Sequence, residues 1–485
     1  MYLNKQDLPL SSHRFLFSDI IATSIFWLPL LLIGSYLLSI ANETYAPFLA
    51  VFLFVVFGLI VCAMVFSKGE YELRSFLLSF SVCVLVAGVA QNYSLITFGE
   101  LQSTRDAANS FFPLISESPP FTTMQDIPVN FNSPLAILIW QRIYALAWLL
   151  GMKFGLYTGV LCNAFVVGLS GATTVAVARE VFGNDHLRLR RLSILVSCCG
   201  LFWLFGAILI RDCFILFINV MVLWRWVVWM NRPSVKNFIF GIVITGIASY
   251  ATFYLRQKAV VLFGLFFMMS VIVRIRHMDS KFQKPVFVIV ITLGILLGFG
   301  YIRQFSDISL NYKSQVSENY LEHIKDHATE DSLGMKLVVN QPLPIKLVLG
   351  CATMAISPIP IWCSLKFGAS EYHLIKNFNG IYQIIIMPLV IGGIFMVFHR
   401  MYGRQKNQIA DSLFYLAIYS LVGILSVVAT SLEQRHFVPF LPALLILAVL
   451  PDIRETGTLR LLRKISLMWY AIVILVHVGW LLLKL

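Results

Sequence analysis

The sequence predicts an all-α polytopic membrane protein, a single integral membrane domain over residues 1–485. Three observations predict it. Hydrophobic residues make up 59% of the chain and charged ones 13%, with a mean hydropathy of +0.81; a soluble domain is about half apolar and about one quarter charged. Apolar runs of roughly 16–24 residues recur from end to end, and about 20 residues cross a bilayer as helix. Once those runs are threaded, Lys and Arg gather in loops on one side, as they do in cytoplasmic loops.

The same composition narrows the function classes. Those loops account for the net charge of +13, so no nucleic-acid partner is expected. Of the eight cysteines, Cys62, Cys83, Cys162, Cys198 and Cys199 lie in apolar segments, and no CxxC or His/Cys spacing marks a metal site. There is no P-loop and no Rossmann-like glycine motif.

Taken in order, a polar stretch, Met1–Arg14, precedes the first span, 15–40. That span has no small-residue cleavage site and reads as an anchor. A second span, 48–66, returns after the polar turn Asn42–Pro47, and Lys68 and Arg74 mark the next loop as cytoplasmic. The span 76–96 leads into the first long hydrophilic insertion, 97–133. The Pro-led run 134–150 is short. A full crossing there would put every later basic cluster on the side opposite Lys68 and Arg74, so it is expected to be interfacial or re-entrant.

Spans follow at 155–179, 191–210, 213–229, 237–255, 259–273 and 285–302. Their alternate turns carry Arg188 and Arg190, then Arg232 and Lys236, then Arg274 and Lys281, all on the cytoplasmic side. The loop 303–345 alternates charged and apolar residues. It is read either as a short helix over a cavity or as a solvated loop. The run 346–365 is broken by Pro and is read as a second interfacial segment; 381–399, 411–430, 437–450 and 466–484 complete the set. The total is about 13 transmembrane helices plus one or two interfacial ones. The loops 97–133 and 303–345 are extracytoplasmic and lie over the candidate cavity.

Polar residues that interrupt this pattern are the candidate functional groups. Asp106 follows Arg105 in the first long loop and precedes Phe111, Phe112 and Pro113. It is either simply solvated or partly desolvated at the interface. In the second case its pKa rises and it becomes a better general base for a lipid-borne substrate. Arg211 and Asp212 stand between two spans, where ionisable residues are costly unless paired or facing water. They either end two helices at the surface, or turn Asp212 to the cavity with Arg211 binding an anion. Arg256 and Lys258 interrupt the next pair of spans. They either snorkel to lipid headgroups or bind a phosphate. Glu433, Arg435 and His436 stand at the mouth of the span 437–450: Glu433 and Arg435 pair structurally, or Arg435 and His436 hold a diphosphate leaving group.

Three stretches carry a family likeness: N-S-P-L-A-I-L-I-W-Q-R-I-Y-A-L-A-W-L-L-G-M-K-F-G (Asn132–Gly155), A-V-A-R-E-V-F-G (Ala176–Gly183) and E-Q-R-H-F-V-P-F-L-P (Glu433–Pro442). Together with the acidic turn at Asp212, they resemble the GT-C membrane glycosyltransferases of the protein O-mannosyltransferase and aminoarabinose transferase type, glycosyltransferase family 39-like. The similarity covers roughly 100–275 and 375–452.

The resemblance implies an inverting transfer from a polyprenyl-phosphate-linked sugar donor to a polysaccharide, lipid or protein acceptor. The reaction would take place on the periplasmic face of the bacterial inner membrane, in O-antigen, lipopolysaccharide or other cell-envelope glycosylation. It assigns catalysis to Asp106 and Asp212, and the donor phosphate to Arg256, Lys258, Arg435 and His436. Arg105, Arg211 and Glu433 are in support. The chain departs from the family pattern in two places. Arg105 stands where an acid often precedes the loop Asp, which leaves a divalent metal cofactor unassigned. An extra hairpin, 15–66, also precedes the span that leads into the loop.

Two other classes compete. An O-antigen polymerase or ligase needs outer loops rich in Arg, and here they hold Arg105 and Arg303. A polysaccharide or lipid transporter or flippase needs mid-bilayer charges and paired broken spans. Here the charges sit at span ends, and no half-to-half repeat is visible.

Overall fold

The structure is a computed structural model that describes residues 17–66, 69–102, 111–117, 133–256, 259–275, 338, 341–357, 359–362, 365, 368–402, 408–430 and 434–484. Among these residues the chain is helical, with no strand. Among the described residues nine helices are long and apolar enough to cross a membrane. They are α1 (Phe17–Ala41), α2 (Ala46–Phe66), α3 (Glu70–Phe98), α6 (Leu156–Phe182), α9 (Asp212–Asn231), α10 (Val235–Arg256), α13 (Glu371–Tyr402), α14 (Gln408–Thr430) and α16 (Thr456–Lys484). Shorter helices are α4 (Phe112–Glu117), α5 (Pro134–Leu149), α7 (His186–Ser197), α8 (Gly200–Ala207), α11 (Val260–Ile275), α12 (Leu343–Ile356) and α15 (Leu441–Ala448). The last follows a 3₁₀ segment, Gln434–Phe440.

The expected polytopic helical architecture is present, and the span count differs in form. The run 191–210 is two helices, α7 and α8, bent by 52° at Cys198–Cys199; counted as one span, the pair brings the total to ten. Asn379 accounts for the break. Its Oδ1 accepts from Leu201 N at 3.1 Å, and Gly200 lies so close that a Cβ there would meet the Asn379 backbone N at 2.8 Å. Trp203 Nε1 donates to Ser197 O at 2.6 Å, which covers a carbonyl freed by the bend. The run 437–450 becomes the 3₁₀ segment and α15, because Pro439 and Pro442 lack the N–H groups that a continuous helix would use. The run 285–302 lies outside the described residues.

α6 is the axis of the bundle and is almost wholly buried. Gly168 and Gly171 admit Phe76, Phe80 and Ser79 of α3 against its backbone, the close approach that small residues allow between membrane helices. α1 crosses α3 the same way: a Cβ on Gly34 would meet the Leu85 backbone N at 2.7 Å.

The two ends of the bundle differ. At one end Glu72 pairs with Arg179 at 2.9 Å, Tyr71 meets His186, and Glu180 pairs with Arg232. Arg188 Nη2 there donates to Leu450 O at 3.3 Å, and Ser412 Oγ to Asn231 Oδ1 at 2.6 Å. The loops that carry Arg74, Arg188, Arg232 and Arg454 therefore share one end, while Lys5, Lys68, Lys281 and Arg404 lie outside the described residues. At the opposite end Asn42 donates to Gln91 Oε1 at 2.8 Å, and Tyr93 donates to Ala369 O at 2.8 Å. α5 stays at this opposite end. Ser133 at its start touches Leu255, and Tyr144 near its finish donates to Gly155 O at 2.7 Å. It does not cross, and Trp148 and Leu149 at its tip are exposed, as an interfacial helix requires.

Candidate functional site

The site begins with a stretch of backbone that is not helical. Between α8 and α9 the chain leaves the helix at Ile208–Ile210, where Ile210 N donates back to Ile208 O at 2.9 Å, and all three residues are buried. Such backbone persists only if its polar groups find partners inside the protein. Asn163 of α6 supplies them: its Nδ2 donates to Ile208 O at 2.9 Å and Ile210 O at 3.0 Å. Its Oδ1 accepts from Trp140 Nε1 of α5 at 2.9 Å. Gln102 closes the other side, donating to Ala207 O at 3.1 Å and accepting from Leu209 N at 3.3 Å. These amides fix where the next two residues, Arg211 and Asp212, emerge. Trp140 also packs between Phe111 and Phe214, with centroids at 5.2 Å and 5.7 Å.

Arg211 Nη1 donates to Ser133 Oγ, and Ser133 Oγ donates to Leu255 O at 3.3 Å. Ser133, fully buried in front of Pro134, thus joins the start of α5, the turn before α9 and the end of α10. Asp212 is the first residue of α9, where a carboxylate complements the helix dipole. Arg256 is the last residue of α10, and its Nη1 lies 3.6 Å from Asp212 Oδ1. The two side chains are 30% and 12% exposed, so the pair is sheltered but open on one side. Arg256 Nη2 also pairs with His436 Nε2, in the 3₁₀ segment. Arg435, half-buried, precedes it.

The cluster lies below the rim of its own bundle. From Leu156 to Asn163 is seven residues, about 10 Å along α6 at 1.5 Å per residue. Gln434 meets Gln383 at 3.4 Å. Gln383 lies twelve residues into α13 from Glu371, about 18 Å along that helix. The charged groups therefore lie inside the bundle, below the starts of α6 and α13. Gln434 Nε2 donates to Ser357 O at 2.8 Å, which brings the end of α12 to the same level.

Of the residues singled out from sequence, Arg211, Asp212, Arg256 and His436 come together here, and Arg435 precedes His436 in the 3₁₀ segment. Arg105, Asp106, Lys258 and Glu433 lie outside the described residues, as do most of the loops 97–133 and 303–345. Sequence reading missed Ser133, Asn163 and Gln102. The motif N-S-P held a hint, because a Ser before Pro commonly opens a helix. Here its hydroxyl turns to Leu255 and Arg211, with no capping bond of its own.

Among the described residues no group of three or more His, Cys, Asp and Glu could hold a metal. The chemistry agrees with that: among the described residues the cluster has one carboxylate, Asp212, paired with Arg256, a poor donor set for a divalent cation. These residues do not fit a metal. The arrangement suits an anion, since Arg211, Arg256 and His436 lie close together at the ends of three elements.

The chain matches no protein-family model, no curated protein and no solved structure.

Proposed function

We propose that the protein is a polyprenyl-phosphate-sugar-dependent glycosyltransferase, acting on the outer face of the bacterial inner membrane in surface polysaccharide or lipid glycosylation. One observation carries the reading: Asp212, Arg256 and His436 meet from three separate elements inside one end of the helical bundle, and the reading takes them as the floor of a recess. A phosphate bound there would sit among cations while its prenyl chain stays in apolar surroundings. The positive-inside rule puts the basic end in the cytoplasm and the recess on the periplasmic side. The finer architecture belongs to the same proposal. The bundle has about 13 spans when 259–273, 285–302 and 437–450 are counted, in a GT-C-like arrangement.

In this mechanism an acceptor hydroxyl oxygen bonds to the anomeric carbon of the donor. The bond from that carbon to the phosphate oxygen breaks, with inversion, and its electron pair leaves on polyprenyl phosphate. Arg256, with Arg435, His436 and Lys258, stabilises the charge that grows on the phosphate. The hydroxyl proton passes to a carboxylate. Asp106, in the loop expected over the recess, is the assigned base. Asp212, already paired with Arg256, orients that guanidinium and is the competing base.

Lipid analysis of a deletion strain tests the reading. Cells lacking the protein should accumulate a polyprenyl-phosphate sugar and lose one sugar from an envelope glycan or lipid. Wild type should reverse both changes, and Arg256→Ala should reverse neither. A deletion that instead strands a complete lipid-linked oligosaccharide would favour a polymerase, ligase or flippase.

A further inference from the structure

The basic end of the bundle holds a second feature, unrelated to the recess. A cavity of about 660 Å³ lies between the end of α9 and the start of α10, lined by Arg225, Lys236, Asn237, Val235, Ile239 and Phe240. Arg225 is held in place by two rings: its guanidinium carbon is 4.2 Å from the Trp224 ring centre and 4.6 Å from that of Phe240. Its Nε is buried without a hydrogen-bond partner among the described residues. The carboxylate that acts on it electrostatically, Glu180, is already bound by Arg232 at 2.7 Å and 2.6 Å.

Arg225 lies six residues before Asn231, about 9 Å inside the end of α9. A guanidinium at that depth normally reaches toward water along a flexible stem. This one is clamped between Trp224 and Phe240, so an anion has to come to it. Lys236, exposed on α10, supplies a second positive charge at the rim. The outer wall is apolar and open: Val235, Ile239, Phe240 and Val243 are exposed, and Ile242 and Ile247 continue the same helix surface. The ligand must therefore carry an anionic head and an apolar tail side by side.

We propose that this groove binds the headgroup of an anionic phospholipid, its phosphate between Arg225 and Lys236 and its acyl chains along α10. Each Lys or Arg near a membrane surface contributes to such attraction, and a fixed pair selects anionic over zwitterionic lipid.

The test uses the full-length protein in nanodiscs of phosphatidylcholine and phosphatidylglycerol at four to one. Native mass spectrometry then counts the lipids retained on release. Wild type should keep phosphatidylglycerol well above its share. Lys236→Gln should reduce that retention, and Arg225→Gln with Lys236→Gln should abolish it, a loss on the order of tenfold or more. Arg225→Lys keeps the charge, tests whether the position itself disturbs folding, and should retain the lipid. Arg460→Gln, an exposed cation of α16 at the same end, should change nothing. Equal phosphatidylglycerol retention in wild type and the double variant would overturn the proposal. So would an equal loss in Arg460→Gln, which would mean diffuse charge attraction and no site.

Discussion

Asp212 and Arg256 stand 3.6 Å apart because α9 and α10 form an antiparallel hairpin. The first residue of one helix faces the last residue of the other. Each also suits its own helix end, an acid at an N-terminus and a base at a C-terminus. The hairpin thus places a guanidinium between a carboxylate and His436, and that geometry makes specific demands on the residues around it.

Arg256→Ala removes the cation that both Asp212 and His436 touch. A hydrogen bond to a charged group contributes about 1.5–3 kcal/mol, so donor use should fall on the order of tenfold to a hundredfold. Arg435→Ala and Lys258→Ala should act in the same direction. Initial rates against donor concentration check this. Unchanged KM and turnover in all three variants would make the cations headgroup anchors.

Ser133→Ala removes the hydroxyl shared by Arg211 and Leu255. The expected cost is about 1–3 kcal/mol for a buried partner left unmade. Expression should persist while transfer falls, because Arg211 loses its fixed position. Ser133→Thr keeps the hydroxyl and should restore activity. An assay comparing the two variants decides whether the hydroxyl or the packing matters.

Asn163→Leu tests the floor itself. It leaves the buried Trp140 indole N–H without its partner, at roughly 1–3 kcal/mol, and strips the amide bonds from the carbonyls of Ile208 and Ile210, which keep only Ile210 N and Cys213 Sγ. Thermal unfolding in detergent should start several degrees lower than in wild type. An unchanged transition would mean that the non-helical stretch does not depend on Asn163.

Much of this was legible because charges are conspicuous in an apolar chain. Arg211-Asp212, Arg256 and Arg435-His436 each interrupt a hydrophobic run, and threading the runs by positive charge put all three interruptions at one end. Asn163 and Ser133 were not legible. A lone amide inside an apolar helix, or a Ser before Pro, has the same appearance whether or not distant backbone needs it. The bend at Cys198–Cys199 was hidden for a similar reason. It depends on Asn379 of α13, far away in sequence, and the apolar run 191–210 is continuous in composition. The level of the cluster inside the bundle follows from the tertiary positions of Gln383 and Asn163, which no local pattern encodes.

Orientation can be checked independently. Cysteines placed at Glu43 and Gly368 should react with a membrane-impermeant maleimide in intact cells, and one at Glu455 should react only after permeabilisation. Labelling of Glu455→Cys from outside would reverse the threading and put the recess in the cytoplasm.

The most direct test of the central claim is glycosyl transfer in proteoliposomes, with polyprenyl-phosphate-linked sugars as donors and envelope extract as acceptor, followed by release of polyprenyl phosphate. Wild type should release it only when acceptor is present. Asp106→Asn should slow release about 10²–10⁴-fold, the usual contribution of a positioned base, and Asp212→Asn should slow it less. If Asp212→Asn alone abolishes release, the base is at the α9 turn. Full transfer by both variants, or no release by wild type with any donor, would contradict the glycosyltransferase account.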